Sequence, residues 1–138
     1  FQGAAVPQQG PISSSVMGYW EGIEELGYPH DPEAARQLLV EAGYTLNADG
    51  ILEKDGELFE IDLVTPSIDI YVKTSEVLQE QLHQIGIAAT IKQMEVNLMT
   101  AQLAAGDYDA GLLVVGYGEA DLMYLLYHSS MIGALNFS

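Results

Sequence analysis

The chain contains no cysteine, which removes disulfides, thiolate nucleophiles and cysteine-ligated zinc together and leaves the redox compartment open. Cations are nearly as scarce. Four Lys and Arg stand against 20 Asp and Glu, a formal net charge of -16, and such a surface cannot neutralise a run of phosphates. Nucleic acid and anionic membrane surfaces are therefore poor partners, while amine-bearing ligands and divalent metals are favoured. The same acidity also serves solubility or tolerance of high salt. Long apolar runs are missing too: the longest, Gly111 to Gly116 after Ala110, falls far short of the ~20 residues of a membrane helix. Phe1 and Gln2 open the sequence without an initiator Met or an apolar leader, and Asn136-Phe137-Ser138 close it without a terminating element. On that basis the chain is expected to be a piece of a longer protein.

What is present is enough apolar material for a core. In 138 residues, 49% are hydrophobic, the profile of a globular domain rather than a disordered tail. Residues 1–30 hold three of the five prolines and a Ser13-Ser14-Ser15 run, so they read as an extended lead-in. Asp31 as N-cap, Pro32 at the first helical position and Glu33 against the dipole start a helix that runs to Ala42. Its stripe is Ala35, Leu38, Leu39 and Ala42, and Gly43 stops it. Asp55-Gly56 predicts a tight hairpin between Ile51-Leu52-Glu53 and a strand from Leu58 to Thr65, where Phe59, Ile61 and Leu63 alternate with Glu60 and Asp62.

A second helix is expected from Asp69 to Ile85 on the stripe Ile70, Val77, Leu78, Leu82 and Ile85, stopped by Gly86, and a strand follows from Ile87 to Met94. Strand, helix and strand in that order make a βαβ unit with parallel strands. A further round places Asn97 as N-cap of a helix through Ala105 and a strand from Tyr108 to Val115, before a last helix from Ala120 to about His128. The fold class is α/β, a mostly parallel sheet flanked by helices. In such sheets ligands bind outside the carboxyl ends of the strands. Three loops qualify: Thr65-Pro66-Ser67, Gln93-Met94-Glu95, and Gly116 to Asp121 with Tyr117, Glu119 and Asp121.

Several chemistries are absent from the pattern. There is no phosphate loop, no dinucleotide glycine fingerprint and no serine nucleophile elbow. His30, His83 and His128 stand in separate segments and read as surface residues, and the five Met read as core filler. Asp107 and Asp109 follow a helix-ending glycine, where turn chemistry explains them. For Glu119 and Asp121 two roles stay open, helix N-terminal acids or ligand carboxylates. No catalytic residue, cofactor or metal site is assigned.

The ordered motifs resemble a known family. Asp31-Pro32-Glu33-Ala34-Ala35 through Leu38-Leu39-Val40-Glu41-Ala42-Gly43-Tyr44, then Asp49-Gly50-Ile51 and Lys54-Asp55-Gly56, are similar to the solute-binding proteins of peptide and nickel ABC importers. Leu78-Gln79-Glu80-Gln81-Leu82 with Ile85-Gly86-Ile87, and Gly106-Asp107-Tyr108-Asp109-Ala110, continue that likeness to Asn136-Phe137-Ser138. The resemblance implies a lobe of the type II periplasmic-binding-protein kind. Residues 1–30 would lead in from a missing N-terminal lobe, and residues 31–138 would form the C-terminal lobe. It further implies a non-enzymatic, extracytoplasmic protein that captures an oligopeptide- or dipeptide-like solute for a membrane permease. Gly116 to Asp121 fall where peptide-binding relatives place an aromatic residue and an aspartate for the peptide amino group. Here Tyr117 takes the aromatic position, Glu119 and Asp121 supply acid, and the proline that follows in those relatives is missing. The ligand class therefore stays open among peptide, nickel chelate and oligosaccharide. The alternative is a small acidic α/β hydrolase or metal-dependent domain using Glu119 and Asp121.

Overall fold

The computed structural model describes residues 7–113 and 121–137. These residues fall into two compact units, one of residues 31–113 and one of residues 7–30 with 121–137.

In the larger unit, α1 (Pro32–Glu41) begins where the Asp31 carboxylate accepts the Ala34 N–H at 3.0 Å, with Pro32 leading the helix. It ends in a Schellman arrangement: Gly43 at φ +95° donates to Val40 O, and Tyr44 donates to Leu39 O at 3.0 Å. The Lys54 ammonium then bonds Ala42 O at 2.8 Å. The expected apolar stripe does not become core. No residue of α1 is buried, and Leu38 is 66% exposed. The helix is held instead from its middle by Arg36 donating to Gln84 O, and just past its end by Tyr44 stacked on Phe59 at 5.0 Å.

A small antiparallel sheet follows, β1 (Thr45–Leu46), β2 (Leu52–Lys54) and β3 (Glu57–Leu58), in the order β1-β2-β3. Asp55 and Gly56 connect β2 to β3 with φ of 55° and 84°, as a type I′ turn requires. The single strand expected from Leu58 to Thr65 is two. Phe59 donates its N–H to Leu52 O at 2.7 Å and its carbonyl accepts from Ala88 at 3.0 Å, so one residue hands the chain from the hairpin to a second sheet. Alternation of side chains continues through such a handover and cannot reveal it.

That second sheet is wholly parallel, in the order β5-β4-β6, with β4 (Glu60–Pro66) between β5 (Ala88–Met94) and β6 (Ala110–Gly111). The register runs from Glu60 opposite Ala88 to Pro66 opposite Met94, and from Leu63 opposite Ala110 on the other side. Helix α2 (Asp69–Gln84) packs on β4 and β5, and α3 (Val96–Ala105) packs on β4. Leu63, Val64, Ile87, Met99 and Leu103 are buried in this layer. Met99 and Leu103, one helical turn apart, meet Val64 beside Gly111, where an added Cβ would lie 3.1 Å from Val64 and 3.2 Å from Leu103.

Two boundaries differ from expectation. The N-cap of α3 is Glu95 rather than Asn97, because β5 runs to Met94 and the Glu95 carboxylate accepts the N–H groups of Asn97 and Leu98 at 2.9 and 3.4 Å. The third strand, expected from Tyr108 to Val115, is only Ala110–Gly111 among the described residues, because it pairs with β4 at Leu63 and Val64 alone; Tyr108, Asp109, Leu112 and Leu113 are not strand, and Val114 and Val115 lie outside the described residues.

In the other unit, a 3-10 turn at Glu21–Glu25 interrupts the proline-rich lead-in. Helix α4 (Leu122–Tyr127) leads into a second 3-10 turn at Ser129–Met131. No helix among the described residues is long and apolar enough to cross a membrane.

Candidate functional site

The carboxyl ends of β4 and β5 come together because the two strands are parallel and in register. Pro66 lies opposite Met94, and the Ser67 N–H donates to Met94 O at 2.8 Å. The residues just beyond, Ser67 and Glu95, are both exposed at this end. Glu95 is already engaged, since its carboxylate caps α3 through two backbone N–H groups. A ligand that drew on this carboxylate would compete with the helix cap.

Thr65 is placed differently. It is fully buried, and its Oγ1 has no hydrogen-bond partner among the described residues. Ser75, the buried residue of α2, has an equally unpartnered hydroxyl. A buried hydroxyl without a partner costs about 1–3 kcal/mol. The sequence pattern marked Thr65 by its place at a strand end, but burial takes its hydroxyl out of reach of a ligand arriving from solvent.

Asp121 belongs to the other unit. It precedes α4, is exposed, and makes no side-chain cap bond. Its carbonyl accepts from Tyr124 and Leu125 at 3.1 and 3.3 Å, so the backbone is committed to the helix while the carboxylate is not committed to its amides. Tyr117 and Glu119 lie outside the described residues. Asp109 is structural, but not through the local turn chemistry expected of it: its carboxylate accepts the distant Asp62 N–H at 2.8 Å, tying the approach to β6 onto β4.

One cluster escaped the sequence reading. His128 stacks on Tyr124 at 4.6 Å, its Nδ1 lies 2.8 Å from Ser130 Oγ, and that hydroxyl lies 2.9 Å from the Tyr124 hydroxyl. Asn136, buried, donates its side-chain amide to His128 O at 3.2 Å. The only available signal was Tyr124 one turn before His128, with Ser130 two residues on. Elsewhere in this unit, the hydrogen bond from Tyr19 to Glu24 at 2.8 Å, helped by desolvation and the charges of Glu24 and Glu21, raises the Tyr19 phenol above its ordinary value. Among the described residues, no three metal-ligating side chains converge.

The family model for bacterial extracellular solute-binding proteins, family 5 (Middle), matches residues 1–131. The chain belongs to this family of solute-binding proteins. The oligopeptide-binding protein AppA of Bacillus subtilis is 31% identical over 126 residues, which cover 88% of this chain and 23% of AppA. Di/tripeptide-binding protein 4 of Pseudomonas aeruginosa is 33% identical over 111 residues, 80% of this chain and 19% of that protein. Among solved structures, NikZ from Campylobacter jejuni, in complex with Ni(L-His), superposes with a TM-score of 0.68 at 28% identity, covering 79% of this chain and 22% of NikZ. The family 5 chain thus spans about a fifth to a quarter of the length of its curated relatives. Its α/β architecture is that of a type II periplasmic-binding-protein lobe, and the family favours solute binding over a small hydrolase or metal-dependent domain.

Proposed function

We propose that this chain is the ligand-binding lobe of an ABC importer solute-binding protein and contributes one wall of a site for an oligopeptide- or dipeptide-like solute. The observation that carries the reading is the family match over residues 1–131, joined by peptide-binding relatives at 31% and 33% identity. Residues 31–138 make the lobe, residues 1–30 lead in from the first lobe of the same protein, and the loaded protein serves a membrane permease outside the cytoplasm. Capture is non-covalent and needs no cofactor.

Asp121, with Tyr117 and Glu119 before it in the sequence, receives the amino group of the solute. An exposed carboxylate that caps no helix is free to do so, and its charge-assisted bond contributes about 1.5–3 kcal/mol. Ser67 and Glu95 border the carboxyl ends of β4 and β5, while Thr65 supports that edge from inside the sheet.

Calorimetry on the two-lobed protein, with free and N-acetylated di- and tripeptides, tests the reading. Free peptides are expected to bind, acetylated ones to bind more weakly, and Asp121→Asn to reduce the difference. Failure of every peptide to bind would overturn peptide capture, and equal binding of free and acetylated forms would remove Asp121 from the site. The isolated 138-residue chain is expected to bind much more weakly than the two-lobed protein, because enclosing about 70–90% of a small ligand needs a concave site and one lobe covers one side.

A further inference from the structure

Strand β5 forms one edge of the parallel sheet, and among the described residues no strand lies on its outer side. Which of its backbone groups face outward follows from the ladder. Ala88 donates to Phe59 O and Met94 O accepts from Ser67, so residues 88 and 94, with 90 and 92 between them, direct N–H and C=O toward β4. By alternation Ala89, Ile91 and Gln93 direct theirs away from the sheet. An edge of this kind is a template for another strand unless it is blocked. Here no proline or bulge blocks it, and the strand Ala-Ala-Thr-Ile-Lys-Gln-Met has small residues at one end and strong strand formers in the middle.

One side chain does cover it. Gln79, on α2, donates its side-chain amide to Ala89 O at 2.6 Å. That bond occupies an outward carbonyl that a pairing strand would need.

We propose that the outer edge of β5 is a strand-pairing surface for a second copy of this chain, held closed by the Gln79 amide. Charge selects this occupant and this place. A net charge of -16 opposes close approach of two copies, and the opposition is least where carboxylates are missing: residues 81–94 carry none, and Lys92 is the one charged residue of β5. An antiparallel pair centred on Ile91 would set Ile91 against Ile91, Thr90 against Lys92 and Ala89 against Gln93, so no like charges face each other. In that register Ile91 exchanges two hydrogen bonds with its counterpart, and Ala89 exchanges two with Gln93 on each side. The Ala89 carbonyl is needed in both outer pairs, and it is the atom that Gln79 holds.

Light scattering across a concentration series of the chain tests the proposal. Gln79→Ala is expected to form dimers at a concentration about tenfold lower than the unaltered chain, the effect of freeing one acceptor in each copy. Adding Ile91→Pro should abolish the gain, because proline removes an outward N–H without touching the ladder to β4. Should that proline unfold the chain by circular dichroism, Gln93→Pro serves the same purpose. Amide exchange supplies a second reading: in Gln79→Ala, protection at Ile91 and Gln93 should rise with protein concentration while Thr90 and Lys92 stay protected throughout. A Gln79→Ala chain that associates no more than the unaltered one would overturn the proposal, and so would association that survives the proline.

Discussion

The two sheets of the larger unit are built from different kinds of information. The hairpin sheet β1-β2-β3 joins residues close in sequence, and its strands are two or three residues long with Leu52 as their buried side chain. A two-residue turn fixes its register. The parallel sheet joins Glu60–Pro66 to Ala88–Met94 and to Ala110–Gly111, residues far apart in sequence, and α2 and α3 cover it. Its central strand is buried from Leu63 to Pro66. The lesson is a division of labour. The parallel sheet carries the core and presents the carboxyl ends at which the family's ligand chemistry is proposed, and the hairpin closes its opposite end through Phe59 and Gly86.

If that division is right, damage to the parallel layer should cost most. Met99→Ala removes a side chain that is 2% exposed and is expected to destabilise by about 3 kcal/mol in urea unfolding. The matching truncation in the hairpin, Leu46→Ala, removes a side chain 61% exposed and should cost well under half of that; equal losses would erase the distinction. Gly86→Ala strikes the junction itself. It puts a Cβ 2.8 Å from Leu52 and 2.9 Å from Leu46 at φ +90°, and a loss of about 2 kcal/mol is expected from the strained backbone and the crowding. Thermal melting of Gly86→Ala beside Gly56→Ala separates the two causes, since Gly56 has φ +84° but open space around it.

Smaller effects test the carboxyl end. Glu95→Ala should cost about 1 kcal/mol through the lost cap, while Glu95→Asp, which can still accept from the helix amides, should recover most of it. A Glu95→Ala variant as stable as the unaltered chain would free this carboxylate for a ligand role. Thr65→Val, which deletes an unpartnered buried hydroxyl at nearly constant volume, should be neutral or stabilising by about 1 kcal/mol. A clear loss of stability would show that the hydroxyl has a partner after all.

Much of this was readable from local chemistry. Asp31-Pro32 and Gly43 set α1, Asp55-Gly56 set the hairpin turn, and the apolar stripe ending at Gly86 placed α2 within a residue of its observed end. The candidate site was readable only as a set of loops. That Glu95 caps a helix while Asp121 does not, and that Thr65 is buried while Ser67 is exposed, depends on what each loop does next in space.

The amino-acid order by itself determined where elements start, turn and stop, because caps, positive-φ glycines and hairpin pairs act over a few residues and need no distant partner. It determined the family too, through motifs spread along the chain in a set sequence. Only the tertiary structure decided that Phe59 divides one apparent strand between two sheets, that α1 leaves Leu38 uncovered, and that Gln79 crosses to Ala89 at the open edge of β5. Each of these outcomes depends on which surfaces meet after the chain has folded back on itself. Side-chain periodicity records which face of an element is apolar, and it carries no record of what will cover that face.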